Sequence, residues 1–171
     1  MADLWHNPLG TDGFEFIEYT APDVAALGAL FTQLGFRAVA RHRSKDVTLW
    51  RQNEINFIVN GEPDSFAQAF ARVHGPSACA MAFRVRDAGA AYDYAIAHGA
   101  KPHAGPVGPM ELNIPAIRGI GGSLIYLVDR YGENTIYDVD FAPLDVEESA
   151  GDAAESAGVP PGSGLTYIDH L

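Results

Sequence analysis

Six histidines are the residues of this chain whose side chains suit metal binding or proton transfer near neutral pH. They are His6, His42, His74, His98, His103 and His170. His42 has three cationic neighbours within residues 41–45, which oppose a further positive charge, so we expect a surface turn there. His98 precedes Gly99 at the end of a predicted helix, where an imidazolium is favoured, and we expect it to cap that helix. His6, His74 and His103 lie in loop-like sequence without a partner at metal-ligand spacing.

The other reactive residue types have simpler structural explanations. Asp138 and Asp140 would share one face of a predicted strand, which favours a solvated surface over a catalytic carboxylate pair. The only cysteine, Cys79, lies on the apolar side of a predicted strand and is expected in the core. Residues 119–122 read Gly-Ile-Gly-Gly without a following helix, so they predict a turn and not a dinucleotide-binding loop. The serines lack the context of a nucleophile. We therefore expect no catalytic residue within residues 1–141.

The charge of the chain is unevenly distributed. It has 22 acidic and 11 basic side chains, a net charge of −11, and every Lys and Arg lies at or before Arg130. Without a basic stripe, the sequence argues against nucleic acids and anionic membranes as partners. No apolar run approaches the ~18 residues of a membrane span. A single cysteine excludes an internal disulfide framework, and the N-terminus lacks the pattern of a secretory signal, so we predict a cytoplasmic protein.

An internal repeat organises the chain at an offset of 64 residues. The aligned pairs are Tyr19 with Phe83, Asp23 with Asp87, Leu27 with Ala91, and Gly35 with Gly99. In each copy a strand leads to an Asp at the N-cap of an amphipathic helix, and a Gly follows the helix where a left-handed C-cap residue belongs. In the first helix, a buried face is predicted from its apolar spacing. That face comprises Val24, Leu27, Leu30, Phe31 and Leu34.

Strand signals follow each helix of the repeat. They cover residues 36–43, 47–52 and 55–60 after the first helix, and 112–117 and 123–128 after the second. Residues 79–85 alternate as a half-buried strand, and a short strand near 135–141 would close the second unit. The sequence thus predicts strand–helix–strand–strand–strand twice, in modules of about 13–60 and 77–141 that together form a domain of residues 1–141.

The C-terminal stretch differs in composition from this domain. Residues 142–164 contain five acids, no base and no aromatic residue, so they predict a flexible acidic linker. Residues 165–171 become apolar again and read as a first strand of a further domain that the sequence does not contain. We therefore expect residues beyond Leu171 in the natural protein.

The doubled βαβββ pattern resembles the vicinal oxygen chelate, or glyoxalase-like, superfamily. The resemblance implies an α+β fold in which two tandem modules form a curved mixed sheet around a cavity, with helices packed outside. Metal ligands of that superfamily usually occupy positions that match Phe16, Ala80 and Tyr126 of this sequence. Because Phe and Ala cannot bind a metal ion and one Tyr is a poor site, no metal is expected on residues 1–141.

A closer resemblance joins four segments: GFEFIEYTAPD, ELNIPAIRGIGGSLIYLVDRYG at 111–132, IYDVDF at 136–141, and the terminal YIDHL. Together they resemble the N-terminal half of the 4-hydroxyphenylpyruvate dioxygenase family. The resemblance implies His170 as the first Fe(II) ligand of the longer protein, with the second His and the Glu beyond residue 171. It also implies a C-terminal catalytic domain, 4-hydroxyphenylpyruvate and O₂ as substrates, and a homo-oligomer. The 171 residues alone are expected to be inactive.

Three alternatives remain open at this stage. The chain could be a metal-free binding module that holds an aromatic ligand or drug in the cavity of the curved sheet. That cavity is expected to be lined by Phe16, Phe57, Phe83 and Tyr126. The chain could instead be half of a hydroxymandelate synthase, an enzyme that uses the same substrate, 4-hydroxyphenylpyruvate, and iron. A purely structural dimerisation domain is the third alternative.

Overall fold

A computed structural model describes residues 6–105, 108, 111–144 and 162–171. Within these residues one mixed sheet of nine strands carries four helices and one 3₁₀ turn. The strands are β1 (Thr11–Thr20), β2 (Arg37–His42), β3 (Val47–Gln52), β4 (Ile55–Asn60), β5 (Ser77–Val85), β6 (Pro102–His103), β7 (Ala116–Arg118), β8 (Leu124–Val128) and β9 (Phe141–Pro143). The helices are α1 (Val24–Gln33), α2 (Phe66–His74), α3 (Ala88–Ala97) and α4 (Ile136–Asp140), and the 3₁₀ turn is Ile120–Gly122.

The strand order of the sheet is β6-β7-β8-β5-β1-β4-β3-β2-β9, and it displays the internal repeat. The first strands of the two modules, β1 and β5, pair antiparallel at the centre of the sheet. Each also pairs in parallel with the last core strand of its own module, β1 with β4 and β5 with β8. The predicted α+β fold of two tandem βαβββ modules is therefore confirmed.

The predicted helix caps are also present. The Asp23 carboxylate accepts the backbone N–H of Ala26 at 3.0 Å, and Asp87 accepts that of Ala90 at 2.8 Å. Gly35 and Gly99 follow the helices with φ of 87° and 95°, a conformation that costs glycine little. Identical local chemistry thus begins and ends the equivalent helices of both modules.

The buried face of α1 differs from the prediction at two positions. Leu30 and Leu34 are 48% and 44% exposed. The helix instead meets the sheet at Gly28, where a Cβ atom would lie 2.9 Å from the Trp50 ring. This close approach turns Val24, Leu27 and Phe31 toward the sheet and leaves Leu30 and Leu34 facing outward.

Two further predictions about secondary structure were incomplete or wrong. The stretch near 135–141, expected as a strand, forms helix α4, because the backbone N–H of Thr135 donates to the Asp138 carboxylate at 2.8 Å in a capping box. The chain then becomes β9, which pairs with β2 at the far edge of the first module and does not close the second. Asp138 and Asp140 therefore lie on a helix and share no strand face.

Helix α2 had no counterpart in the prediction. Its signal is Ser65 followed by Gln68: the Ser65 hydroxyl accepts the Gln68 N–H at 3.1 Å at the N-cap.

The strand predicted over residues 112–117 is shorter and lies later in the chain, as β7 (Ala116–Arg118). The predicted turn at 119–122 is confirmed, since Gly121 and Gly122 have φ of 68° and 85° and the Gly119 N–H donates to the Ser123 carbonyl at 2.8 Å.

Besides a smaller cluster that packs α3 on the second module, two apolar clusters lie between the sheet and its neighbours. One joins both modules around Phe16, Leu49, Val128, Ile136 and Phe141. The other packs α1 on the first module through Phe31, Phe36, Ile55 and Val59. Among the described helices, none is long and apolar enough to cross a membrane.

The C-terminal predictions have a mixed outcome. Most of the predicted linker, residues 145–161, lies outside the described residues. Residues 162–171 are described and contain no strand. The interpretation of 165–171 as the opening strand of a further domain, like the division at 141 and 164, stays a prediction.

Candidate functional site

A cavity of about 200 Å³ lies where the two modules and α4 meet, and we call it the concave cavity. Its apolar lining includes Phe16, Val47, Ile58, Tyr126, Ile136 and Phe141. Its polar lining includes Glu18, His42, Lys45, His103, Glu111 and Asp140. Because every module contributes to it, the cavity exists only when both modules are paired.

An ion pair forms one wall of the concave cavity. Lys45 Nζ lies 2.6 Å from Glu111 Oε2, and the Ser44 hydroxyl donates to Oε1 at 2.6 Å. The Gly108 N–H donates to the same carboxylate at 2.7 Å. These donors hold the pKa of Glu111 at about 2, well below its ordinary value, so the group is an anion at neutral pH.

Glu18 on β1 brings a second carboxyl group to the concave cavity. Its side chain is buried, and Asn60 Nδ2 donates to Oε1 at 2.7 Å. Burial raises the pKa of Glu18, while the Asn60 hydrogen bond and the positive charge of Lys45 oppose that shift. Burial likewise raises the pKa of Tyr126, which lines the same cavity. Both groups therefore favour their neutral forms more strongly than they would in water.

Two histidines that the sequence assigned to surface turns or loops line the concave cavity. The His42 side chain is only 10% exposed and its Nε2 lies 4.0 Å from Glu111 Oε1, so the predicted surface turn is wrong for this side chain. Burial, and then Lys45, lower the pKa of His42. His103 belongs to β6, and burial, followed by Arg118, lowers its pKa. Lys45, one of the cationic neighbours of His42 noted in the sequence, thus acts in the expected direction.

The aromatic lining expected for the cavity is half right. Phe16 and Tyr126 line it, with ring centroids 5.8 Å apart. Phe57 does not, because its neighbour Ile58 points into the cavity and successive strand residues face opposite sides. Phe57 stacks on Phe36 at 4.3 Å instead, and Phe83 stacks on Phe14 at 4.8 Å.

The remaining sequence candidates lie apart from the cavity. His98 caps α3 as expected: its Nδ1 lies 2.8 Å from the Tyr94 carbonyl. His74 is the last residue of α2, where a loop was expected, and its ring stands 4.2 Å from that of Phe70. Cys79 is fully buried, as predicted, and its thiol donates to the Glu18 carbonyl at 3.5 Å. His6 is exposed.

His170 lies in the C-terminal segment, far along the chain from the cavity residues. Its Nδ1 is 2.8 Å from the Asp169 carboxylate, and its side chain is 87% exposed. A carboxylate on Nδ1 leaves Nε2 available, which is the usual arrangement of a metal-binding histidine. The residue therefore fits as one ligand of a metal ion. The described residues contain no group of three His, Cys, Asp or Glu side chains that could hold a metal by themselves.

Comparison with known proteins identifies the family of this chain. The family described as "Hydroxyphenylpyruvate dioxygenase, HPPD, N-terminal" matches residues 5–142. The chain is 55% identical over 168 residues to Hemolysin VllY of Vibrio vulnificus, a match that covers 96% of this chain and 45% of that protein. It is 53% identical over 169 residues to a 4-hydroxyphenylpyruvate dioxygenase of Pseudomonas aeruginosa, covering 97% of this chain and 45% of that enzyme.

A solved structure agrees with the sequence matches. It is a xylose isomerase-like TIM barrel/4-hydroxyphenylpyruvate dioxygenase fusion protein, with a TM-score of 0.70 and 42% identity over 85% of this chain and 24% of that one. The chain thus spans about half the length, or less, of the proteins it matches. From the paired modules and the match over residues 5–142, the chain belongs to the family of N-terminal domains of hydroxyphenylpyruvate dioxygenase.

Proposed function

We propose that the chain is the N-terminal domain of an Fe(II)-dependent 4-hydroxyphenylpyruvate dioxygenase, with a C-terminal catalytic domain in the same polypeptide. The longer protein would convert 4-hydroxyphenylpyruvate and O₂ to homogentisate and CO₂, a step of tyrosine catabolism. One observation carries the proposal: the 53% identity to a dioxygenase extends over 97% of this chain. Identity that extends over both modules and the C-terminal segment supports the same domain organisation in this protein as in that dioxygenase.

Within this chain, the proposal assigns one residue to the iron. His170 Nε2 would bind Fe(II), and the Asp169 carboxylate at 2.8 Å would fix the ring through Nδ1. A second His and a Glu from the catalytic domain would complete the site. Bound by two histidines and one carboxylate, iron keeps open positions for a 2-oxo acid and O₂.

The charges of the concave cavity support placing the reaction outside residues 1–141. The cavity presents the carboxyl groups of Glu18, Glu111 and Asp140, and the one lysine there is paired with Glu111. The lysine is thus not free to bind the carboxylate of 4-hydroxyphenylpyruvate, and the lowered pKa values of His42 and His103 disfavour their cationic forms. The substrate therefore belongs in the proposed catalytic domain.

A homogentisate assay tests the proposal. The 171-residue chain, supplied with Fe(II), substrate and O₂, is expected to form no homogentisate, whereas the longer protein should turn over. In the longer protein His170→Ala is expected to abolish activity and iron retention, and His6→Ala, an exposed histidine, to change neither. Turnover by the isolated chain, or an active His170→Ala protein, would overturn the proposal.

The concave cavity supports a second candidate function, that of an aromatic-ligand binding module. Phe16 and Tyr126 offer ring surfaces there, and the surrounding carboxyl groups favour a neutral or cationic ligand. Thermal-shift screening with aromatic amines and aromatic acids tests it, because a ligand that binds only the folded chain raises the melting temperature. Stabilisation by amines, lost in Tyr126→Ala, would support a binding module, and no stabilisation would reject it.

Product analysis of the longer protein separates two related enzymes. Homogentisate identifies the dioxygenase, and hydroxymandelate identifies a hydroxymandelate synthase. The matched fusion protein raises a further alternative, in which this type of domain accompanies a TIM barrel. The cytoplasmic location predicted from the sequence, and the homo-oligomer that the resemblance implies, stay predictions.

A further inference from the structure

The C-terminal segment of residues 162–168 docks on the first module, and we propose that Gln52 anchors it and thereby positions His170 for the iron site. This inference rests on the proposed function for its metal, and on the described contacts for its geometry. Gln52 is the last residue of β3 and is only 5% exposed, although its amide is polar. A buried amide of this kind needs partners for its donor and its acceptor.

Gln52 finds those partners on two separate parts of the chain. Its Nε2 donates to the carbonyl of Leu34, the C-cap of α1, at 3.0 Å. Its Oε1 accepts the backbone N–H of Leu165 at 3.2 Å and lies 3.2 Å from the Ser163 hydroxyl. The amide therefore connects the end of a domain helix to the C-terminal segment.

Neighbouring contacts reinforce the same connection. The Ser163 hydroxyl also lies 2.7 Å from the Leu34 carbonyl, one of the acceptors that a helix end leaves without an intrahelical partner. Asn53 Nδ2 donates to the Leu165 carbonyl at 2.6 Å. Ile168 packs against the apolar cluster of α1. The last of these contacts is made by Ile168, two residues before His170. The docked segment therefore fixes the position from which the His170 side chain extends.

Gly35 allows the segment to approach. A Cβ atom built on Gly35 would lie 2.6 Å from the backbone nitrogen of Ser163, closer than real Cβ contacts permit. Its counterpart in the repeat, Gly99, has the same positive φ but no atom within 4 Å of such a Cβ. The two modules thus provide a matched pair: Gly35→Ala and Gly99→Ala carry the same backbone cost, and only the first displaces the segment.

Hydrogen exchange in the 171-residue chain tests the docking without any metal. The Leu165 N–H is expected to be protected in the natural sequence. Gly35→Ala should speed its exchange by roughly tenfold or more, whereas Gly99→Ala, which carries the same backbone cost, should leave it nearly unchanged. Ser163→Ala, which keeps the Gln52–Leu34 hydrogen bond, should also speed it. An unprotected Leu165 N–H, or equal effects of the two glycine variants, would overturn the docking.

Iron binding by the longer protein tests the positioning role. Gly35→Ala and Gln52→Met are expected to weaken Fe(II) binding by roughly tenfold relative to Gly99→Ala. Unchanged iron affinity despite a released Leu165 would overturn the positioning role and leave a purely structural contact. A natural longer protein that binds no iron would refute the proposed function, and the exchange result would still decide the docking.

Discussion

Lys45 Nζ lies 2.6 Å from Glu111 Oε2 in the wall of the concave cavity, joining the β2–β3 connection of the first module to the chain before β7 of the second. We expect Lys45→Met to lower the free energy of unfolding by about 1 kcal/mol at neutral pH, because a charge-assisted hydrogen bond between the modules is lost. Chemical denaturation measures the change. Lys101→Met, which replaces an exposed lysine, is the control.

The same pair predicts a pH dependence. The pKa of Glu111 is about 2 in the folded chain, below its ordinary value of 4.5, so its ionic contribution is present above pH 4.5 and is lost as the pH falls toward 2. The difference in the free energy of unfolding between the natural chain and Lys45→Met should therefore shrink as the pH falls over that range. If that free-energy difference stays constant down to a pH of about 2, the ion pair between Lys45 and Glu111 is not its source.

Glu18 should respond to pH in the opposite sense. Burial raises its pKa, so the folded chain holds a proton that the unfolded chain has released, and stability falls as the pH rises from about 4.5 through the folded pKa. Glu18→Gln keeps an acceptor for Asn60 and removes the buried charge. We expect it to increase the free energy of unfolding at neutral pH by on the order of 1 kcal/mol.

The gain from Glu18→Gln should disappear in acid, where the natural carboxyl is itself neutral. Denaturation curves across the pH range measure this, with Glu54→Gln as the control at an exposed position. A destabilised Glu18→Gln chain at neutral pH would show that the ionised carboxylate makes a favourable interaction in the cavity.

Local signals account for the parts of the fold that the sequence predicted. Asp23 and Asp87 form hydrogen bonds within three residues, and Gly35 and Gly99 are required by the geometry of the helix end, so each is visible in a short window. Helix α4 was misread because the alternation of residues 136–141 resembles a strand. Its capping pair, Thr135 and Asp138, contains the contrary evidence.

Long-range contacts account for what the sequence could not predict. Strand β9 pairs with β2, about a hundred residues earlier, and no local pattern specifies that partner. His42 reaches the concave cavity because Glu111 and Phe141 come to it from the second module. The docking of Leu165 on Gln52 likewise joins positions 113 residues apart. The candidate site consists largely of such contacts, which explains why its histidines appeared as surface residues.

Cys79 should be inert in the folded chain. Its side chain has no exposed surface, and burial raises the pKa of its thiol, which leaves very little reactive thiolate. We expect a disulfide reagent to label the native chain slower than the unfolded chain by on the order of a thousandfold, at a rate set by unfolding. Because this is the only cysteine, the signal is unambiguous. Complete labelling within seconds under native conditions would contradict the burial.

Arg84, which is partly exposed, forms an ion pair with the buried Glu15 between the central strands β5 and β1. Arg84 Nε lies 2.7 Å from Glu15 Oε2, and the glutamate is only 2% exposed. Arg84→Met removes the partner of a buried carboxylate; breaking a fully buried pair costs about 3–5 kcal/mol, and because the Arg84 side chain is 26% exposed we expect about 2 kcal/mol here. We expect a loss of that size in denaturation experiments, and almost none for Arg72→Met on the exposed side of α2.

A double variant distinguishes two causes of this loss: the missing attraction between Arg84 and Glu15, and the burial of an unpaired Glu15 carboxylate. If the uncompensated carboxylate causes most of the loss, adding Glu15→Gln to Arg84→Met should recover more than half of it, because the remaining group is neutral. Equal losses in the single and double variants would mean that Arg84 stabilises the chain through its packing and its contact with the Tyr131 ring, at 5.6 Å. The pair would then contribute shape, and not charge, to the joint between the two modules.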